Sequence, residues 1–233
     1  MSKDPRDKRL RTSIALKING TQLVVDCGPD FRQQMLQNEI HHLDALLVTH
    51  EHNDHIIGMD DVRPFNFKQR GEMPIYTIPR VQKELRHRFG YVFATENRYP
   101  GAPMIKLHTI DKSTPFEVEK IEVIPIEVIH GRLPILGFRI GKFAYITDMK
   151  TIAEEEFKKL LGVQYLVINA LRKEEHYSHL TLQQAIEFGG RVGAQKTYLT
   201  HVSHRMGLYE EVAKELPQGF ILAYDGLQEV IQI

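Results

Sequence analysis

The run Thr49-His50-Glu51-His52-Asn53-Asp54-His55 follows directly on the apolar stretch Leu43 to Thr49, and it constrains this chain more than any other feature. Three imidazoles and two carboxylates crowd together where a buried strand ends. Extended backbone sends alternate side chains to the same side, so His50 and His52 can face together. Asp54 and His55 then fall on the following turn and can face a second ion beside the first. Zinc-type ions accept imidazole nitrogen and carboxylate oxygen at about 2.0–2.2 Å. A solvated polar loop would also tolerate these residues, but it would not need so many donors in one place. The chain holds 12 histidines in 233 residues, an excess that directs attention to metal chemistry.

Composition narrows the alternatives. With 42% hydrophobic and 26% charged residues the chain is of ordinary globular type, read here as a single domain over residues 1–233. Lys+Arg and Asp+Glu both number 30, so there is no overall basic field and no bulk electrostatic grip on nucleic acid; a local basic patch stays open. Cys27 is the one cysteine, which excludes an intramolecular disulfide and a cysteine-based zinc finger and points to a reducing, cytoplasmic setting. Residues Met1 to Arg11 are charged and show no secretory h-region, and no apolar run reaches the roughly 18 residues of a membrane span.

Asn19-Gly20 between Thr12–Ile18 and Thr21–Asp26 predicts a tight hairpin. Helices are expected at 30–37, 81–89, 152–160, 182–192 and 208–216. Further strands are expected at 43–49, 74–78, 104–108, 116–118, 121–129, 135–140, 143–147, 165–168, 197–200, 220–224 and 227–231. Strands mixed with helices in both halves suggest an α/β fold of four layers, with two sheets packed face to face and helices outside, an αβ/βα sandwich.

The pattern T-H-x-H-x-D-H after a buried strand resembles the metallo-β-lactamase superfamily, and the resemblance extends over most of the chain. It implies the αβ/βα sandwich and a two-metal site, and it extends to His130 in Val128-Ile129-His130-Gly131, Asp148 in Tyr145-Ile146-Thr147-Asp148 and His201 in Tyr198-Leu199-Thr200-His201. His50, His52 and His130 would hold one ion; Asp54, His55 and His201 would hold the other; Asp148 would bridge. The ions would be zinc first, with manganese or iron accepted by the same donors.

Within the superfamily the chain looks most similar to the PhnP-like branch. The signs are Asp26-Cys27-Gly28-Pro29-Asp30, the Gly58 to Phe65 segment, His130-Gly131-Arg132-Leu133-Pro134 and Thr200-His201-Val202-Ser203-His204. That resemblance implies a dinuclear hydrolase acting on a small or cyclic phosphate ester through metal-bound hydroxide, with Asp54 orienting the nucleophile. His179, in His179-Leu180-Thr181, would donate a proton to the leaving oxygen, with His176 as its substitute. Arg63, Arg132 and Arg205 are phosphate-contact candidates. The chain departs from the branch in lacking its usual first strand and cysteine cluster, which would leave His204 as an orphan ligand. A transfer-RNA 3′-processing endonuclease and a non-catalytic metal-binding relic are the alternatives. The expected partner is a small phosphate ester, with neither nucleic acid nor membrane required, and association into a homodimer is compatible with the sequence.

Overall fold

The computed structural model describes residues 2–232, which divide into two compact units: Arg11–Ile121, and the residues up to Leu10 together with those from Glu122 on. In the first unit β1 (Ile14–Ile18) and β2 (Thr21–Val25) form the expected antiparallel hairpin, with Ile18 opposite Thr21. Its turn residues Asn19 and Gly20 both have positive φ, 51° and 92°, the conformation a two-residue turn of this kind demands. Strands β3 (Ala45–Leu47), β4 (Met73–Thr77) and β5 (Ile105–Thr109) then add in parallel, giving the order β1-β2-β3-β4-β5. Helices α1 (Phe31–Gln37), α2 (Asn53–Ile56), α3 (Arg63–Gln69) and α4 (Pro79–Arg88) accompany this sheet. Phe31, Met35, Ile56, Phe65, Val81 and Leu85 from the helices bury against Val24, Leu46 and Ile75.

The second sheet follows β6 (Phe116–Val118), β7 (Ile121–His130), β8 (Leu133–Ile140), β9 (Phe143–Ile146), β10 (Tyr165–Asn169), β11 (Lys196–Thr200) and β12 (Phe220–Leu222), in the spatial order β12-β11-β10-β9-β8-β7-β6. Helices α5 (Glu154–Phe157), α6 (Leu182–Val192) and α7 (Tyr209–Glu215) belong to the second unit. Phe157, Ala185, Val192 and Val212 pack with Ile126, Ile146, Leu166 and Leu199. The start of the chain is part of this unit: Asp7 accepts a hydrogen bond from the Tyr209 amide at 2.7 Å, and Asp225 accepts one from the Leu10 amide at 2.6 Å.

One expectation is corrected, and one stretch goes beyond those expected. Leu227–Ile231 is irregular chain rather than a closing strand. Val230 is fully exposed, and the segment is tethered through the Lys196–Glu229 ion pair rather than by a ladder, so alternating apolar residues find no face to bury. The helical stretch from Asn53 through Gln69, made of α2, a 3-10 turn over Ile57–Val62 and α3, goes beyond the expected elements. It is too broken by Gly58 and Pro64 to show a helical period.

Candidate metal centre

Sheet direction explains where the expected ligands fall. β7 is antiparallel to β8 and β8 to β9, while β9, β10 and β11 are mutually parallel. The C-terminal ends of β7, β9 and β11 therefore share one edge, and His130 ends β7, Asp148 follows β9 and His201 follows β11. Ligands in α/β sheets collect outside such carboxyl ends. In the first unit the parallel strands β2 and β3 likewise deliver Asp26 and His50 to one edge.

In the second unit Asp148 is the hub. Its Oδ1 lies 3.2 Å from His201 Nε2, and its Oδ2 lies 3.2 Å from His179 Nε2 and 3.9 Å from His130 Nε2. The Thr147 hydroxyl donates to Oδ1 at 2.5 Å. The ligating atoms of Asp148, His179 and His201 all lie within 4.8 Å of one another. His130 donates from Nδ1 to the Ser178 carbonyl at 2.9 Å, which leaves Nε2 as its lone-pair nitrogen. His179 Nδ1 is 3.0 Å from Ser178 Oγ and 3.2 Å from His176 Nδ1. Capping of α6 is done by Thr181 and Gln184, not by His179. Burial, and then the nearby His179, push the His176 pKa down.

In the first unit, α2 carries Asp54 and His55 in its single turn, with Asp54 Oδ2 3.7 Å from His55 Nε2. His50 Nε2 lies 3.0 Å from His52 Nδ1. Two nitrogens on one tetrahedral ion stand about 3.3 Å apart, so this pair fits a shared cation. The residue that sequence reasoning left without a role is Asp26. Wholly buried, it accepts from His55 Nδ1 at 2.7 Å and from the Thr49 amide and hydroxyl at 2.9 Å each. With the Thr49 proton committed to Asp26, Thr49 Oγ1 accepts from His50 Nδ1 at 2.9 Å. One carboxylate thus sets the tautomer of both His55 and His50, presenting Nε2 from each, as second-layer carboxylates do for metal-bound histidines. Burial pushes the Asp26 carboxyl above its ordinary range, opposed by His55 and Thr49.

Asp26, Asp148 and His201 all adopt left-handed backbone, with φ of 65°, 55° and 54°. Such conformations in non-glycine residues gather at functional sites. Backbone contact also locks the first-unit loops. The Cys27 amide donates to the His55 carbonyl at 2.7 Å and the Gly58 amide to the Cys27 carbonyl at 2.9 Å. A Cβ on Gly28 would meet the Asp54 carbonyl oxygen at 2.2 Å, and one on Gly58 would meet the Gly28 carbonyl oxygen at 2.0 Å.

Other candidates lie elsewhere. Glu51 turns to Arg80, with Oε1 3.0 Å from Nε and Oε2 3.1 Å from an amino nitrogen. Arg63 reaches the Gly101 carbonyl at 3.3 Å, Arg205 lies 3.8 Å from Glu174, and Arg132 and His204 are exposed.

The beta-lactamase superfamily domain matches residues 21–202. The chain belongs to this superfamily. A crystal structure of a diphosphatase from the PhnP family superposes with a TM-score of 0.89 at 36% identity, covering 97% of this chain and 85% of that one, which supports the PhnP-like branch. Its α/β fold is the metallo-β-lactamase fold. Among curated relatives, an octanoyltransferase of Porphyromonas gingivalis is 44% identical over 99% of this chain and 46% of its own length. A ribonuclease Z of Methanopyrus kandleri is 33% identical over 96% of this chain and 92% of that one. The chain spans about half the length of the first curated relatives it matches, 46% of the octanoyltransferase and 44% of the ribonuclease Z of Bacillus velezensis. No helix among the described residues is long and apolar enough to cross a membrane.

Proposed function

We propose that this chain is a dinuclear metal-dependent phosphodiesterase acting on a small or cyclic phosphate ester. In this reading His50, His52 and His130 hold one divalent ion, Asp54, His55 and His201 hold the other, and Asp148 serves both; zinc is preferred, with manganese or iron as substitutes. The observation that carries it is the preset tautomers: His50, His55 and His130 each have Nδ1 engaged as donor, so each offers Nε2 to a cation. Bound divalent ions would supply Lewis acidity toward a phosphoryl oxygen and acidify water. The protein's own contribution is positional. Asp54, at the start of α2, orients the attacking group. His179, its Nε2 beside Asp148, holds a proton for the leaving oxygen, and a positioned donor of this kind contributes about 10²–10⁴-fold.

A metal assay and a substrate panel test this reading. Protein purified without chelator should contain close to two equivalents of metal and should cleave simple phosphodiesters. His179→Ala should keep both equivalents and lose rate on esters with basic leaving groups, much less on a nitrophenyl ester. Equal losses on both would move the proton elsewhere; if His176→Ala shows the selective pattern, that residue is the donor. A well-folded sample without metal would sink the site. The ribonuclease Z relatives favour a second reading, cleavage of precursor transfer RNA, so that substrate belongs in the panel. An octanoyl thioester belongs there too because of the Porphyromonas relative. We expect no acyl transfer through a cysteine thioester, since the sole thiol, Cys27, is buried and burial pushes its pKa well up.

A further inference from the structure

Tyr177 is 83% exposed, yet its ring is held in place. It stands beside the His176 ring, with centroids 4.9 Å apart and planes tilted by 33°. It also covers Gly131: a Cβ there would sit 3.3 Å from Tyr177 Cε2 and 3.3 Å from Ser178 Cβ. Gly131, at φ +64°, therefore provides the close approach as well as the turn. The segment carrying the ring is anchored on both sides, by the Arg172 guanidinium on the Glu175 carbonyl at 2.7 Å and by His130 Nδ1 on the Ser178 carbonyl. Tyr177 thus lies two residues from His179 and next to the residue that orients His130. A large ring fixed in position but left in water gains little burial for the fold. Arg132, directly after Gly131, is exposed and makes no ion pair among the described residues. The hairpin tip and the Tyr177 segment together offer an aromatic face and an uncommitted guanidinium.

We infer that Tyr177 and Arg132 form a substrate subsite for a nucleoside phosphodiester, the base stacking on the Tyr177 ring and the phosphate meeting Arg132. This rests on the phosphodiesterase reading and names its substrate class. Aromatic side chains accept any base face, so the subsite discriminates planar from aliphatic esters rather than one base from another. Two esters with the same leaving group isolate the effect: the p-nitrophenyl ester of thymidine 5′-phosphate and methyl p-nitrophenyl phosphate. Tyr177→Ala should raise KM for the thymidine ester about ten-fold with kcat nearly unchanged, and should leave the methyl ester and the metal content as they were. Tyr177→Phe should restore the KM. Arg132→Gln should weaken both esters. Equal effects of Tyr177→Ala on the two esters, or none on the thymidine ester, overturn the subsite. If the wild-type protein cleaves neither ester, the phosphodiesterase reading fails separately. Equilibrium binding of thymidine 5′-monophosphate then decides: a dissociation constant unchanged by Tyr177→Ala refutes stacking there, and one about ten-fold weaker upholds it.

Discussion

Asp26 shows how much of the chemistry at this sheet edge depends on a residue that would never touch the cation. Its carboxylate takes three donors, two from Thr49 and one from His55. An amide in its place offers a single acceptor oxygen and turns donors toward His55 or Thr49. Asp26→Asn should therefore leave the protein folded but weaken metal binding by about 10–100-fold, as loss of such outer partners typically does. Competition against a chromophoric chelator, with circular dichroism as the folding check, measures this, and an unaltered affinity would remove Asp26 from the role given to it. The histidine cluster itself is legible in the sequence because imidazole and carboxylate at spacings of one and two residues have few other uses. Asp26 is visible there only as part of a family pattern. A carboxylate ending the run Thr21-Gln22-Leu23-Val24-Val25 is a signal in its own right, since an apolar strand delivers its last residue to a buried edge.

The loops around α2 are built by backbone approaching backbone, and glycine is what permits it. Alanine at Gly58 would drive a methyl to 2.0 Å from the Gly28 carbonyl oxygen, where neither partner is a flexible side-chain end. Overpacking of this kind costs about 3 kcal/mol, and in a chain of this length that lowers the melting temperature by roughly 6–12 °C. Gly190, inside α6 with nothing within 4 Å of an added methyl, is the control: alanine there should match or exceed the wild-type melting temperature, since glycine in a helix interior costs roughly 0.5–1 kcal/mol. Calorimetry of the two variants should give opposite signs, and a harmless Gly58→Ala would mean the loops can part. Elements with local punctuation are read well from sequence. The expected α6 has the observed bounds because Thr181 caps one end and Gly193 closes the other in left-handed backbone. Asn19-Gly20 fixes its hairpin for the same local reason. Where the deciding partner is distant, the pattern misleads: the alternation at 227–231 looks like a strand until one asks what it could pair with. The turns from Asn53 to Gln69 are held by contacts such as Gly58 on Cys27, which no local period announces.

At the scale of the whole chain, the proposed ligands are divided between the two units: His50 and His52 lie in one, His130 and Asp148 in the other. If His50 and His130 serve the same ion, His50→Ala and His130→Ala should each remove the same single equivalent of metal, and the double variant should remove no more. Losses that add, one equivalent for each variant and two for the pair, would show that the units bind ions independently. Elemental analysis of the three proteins, each after equal dialysis, reads this directly. The left-handed backbone of Asp26, Asp148 and His201 carries a different consequence. An L-residue held there gives up about 1 kcal/mol of stability, but glycine at Asp148 would also strand the buried Thr147 hydroxyl and His179, at about 1–3 kcal/mol for an unmet buried donor, so Asp148→Gly should melt no higher than the wild-type protein once both are stripped of metal. Glycine at these positions would ease the backbone and at the same stroke strand the donors that Asp26 and Asp148 satisfy, so stability and site chemistry draw on the same side chains.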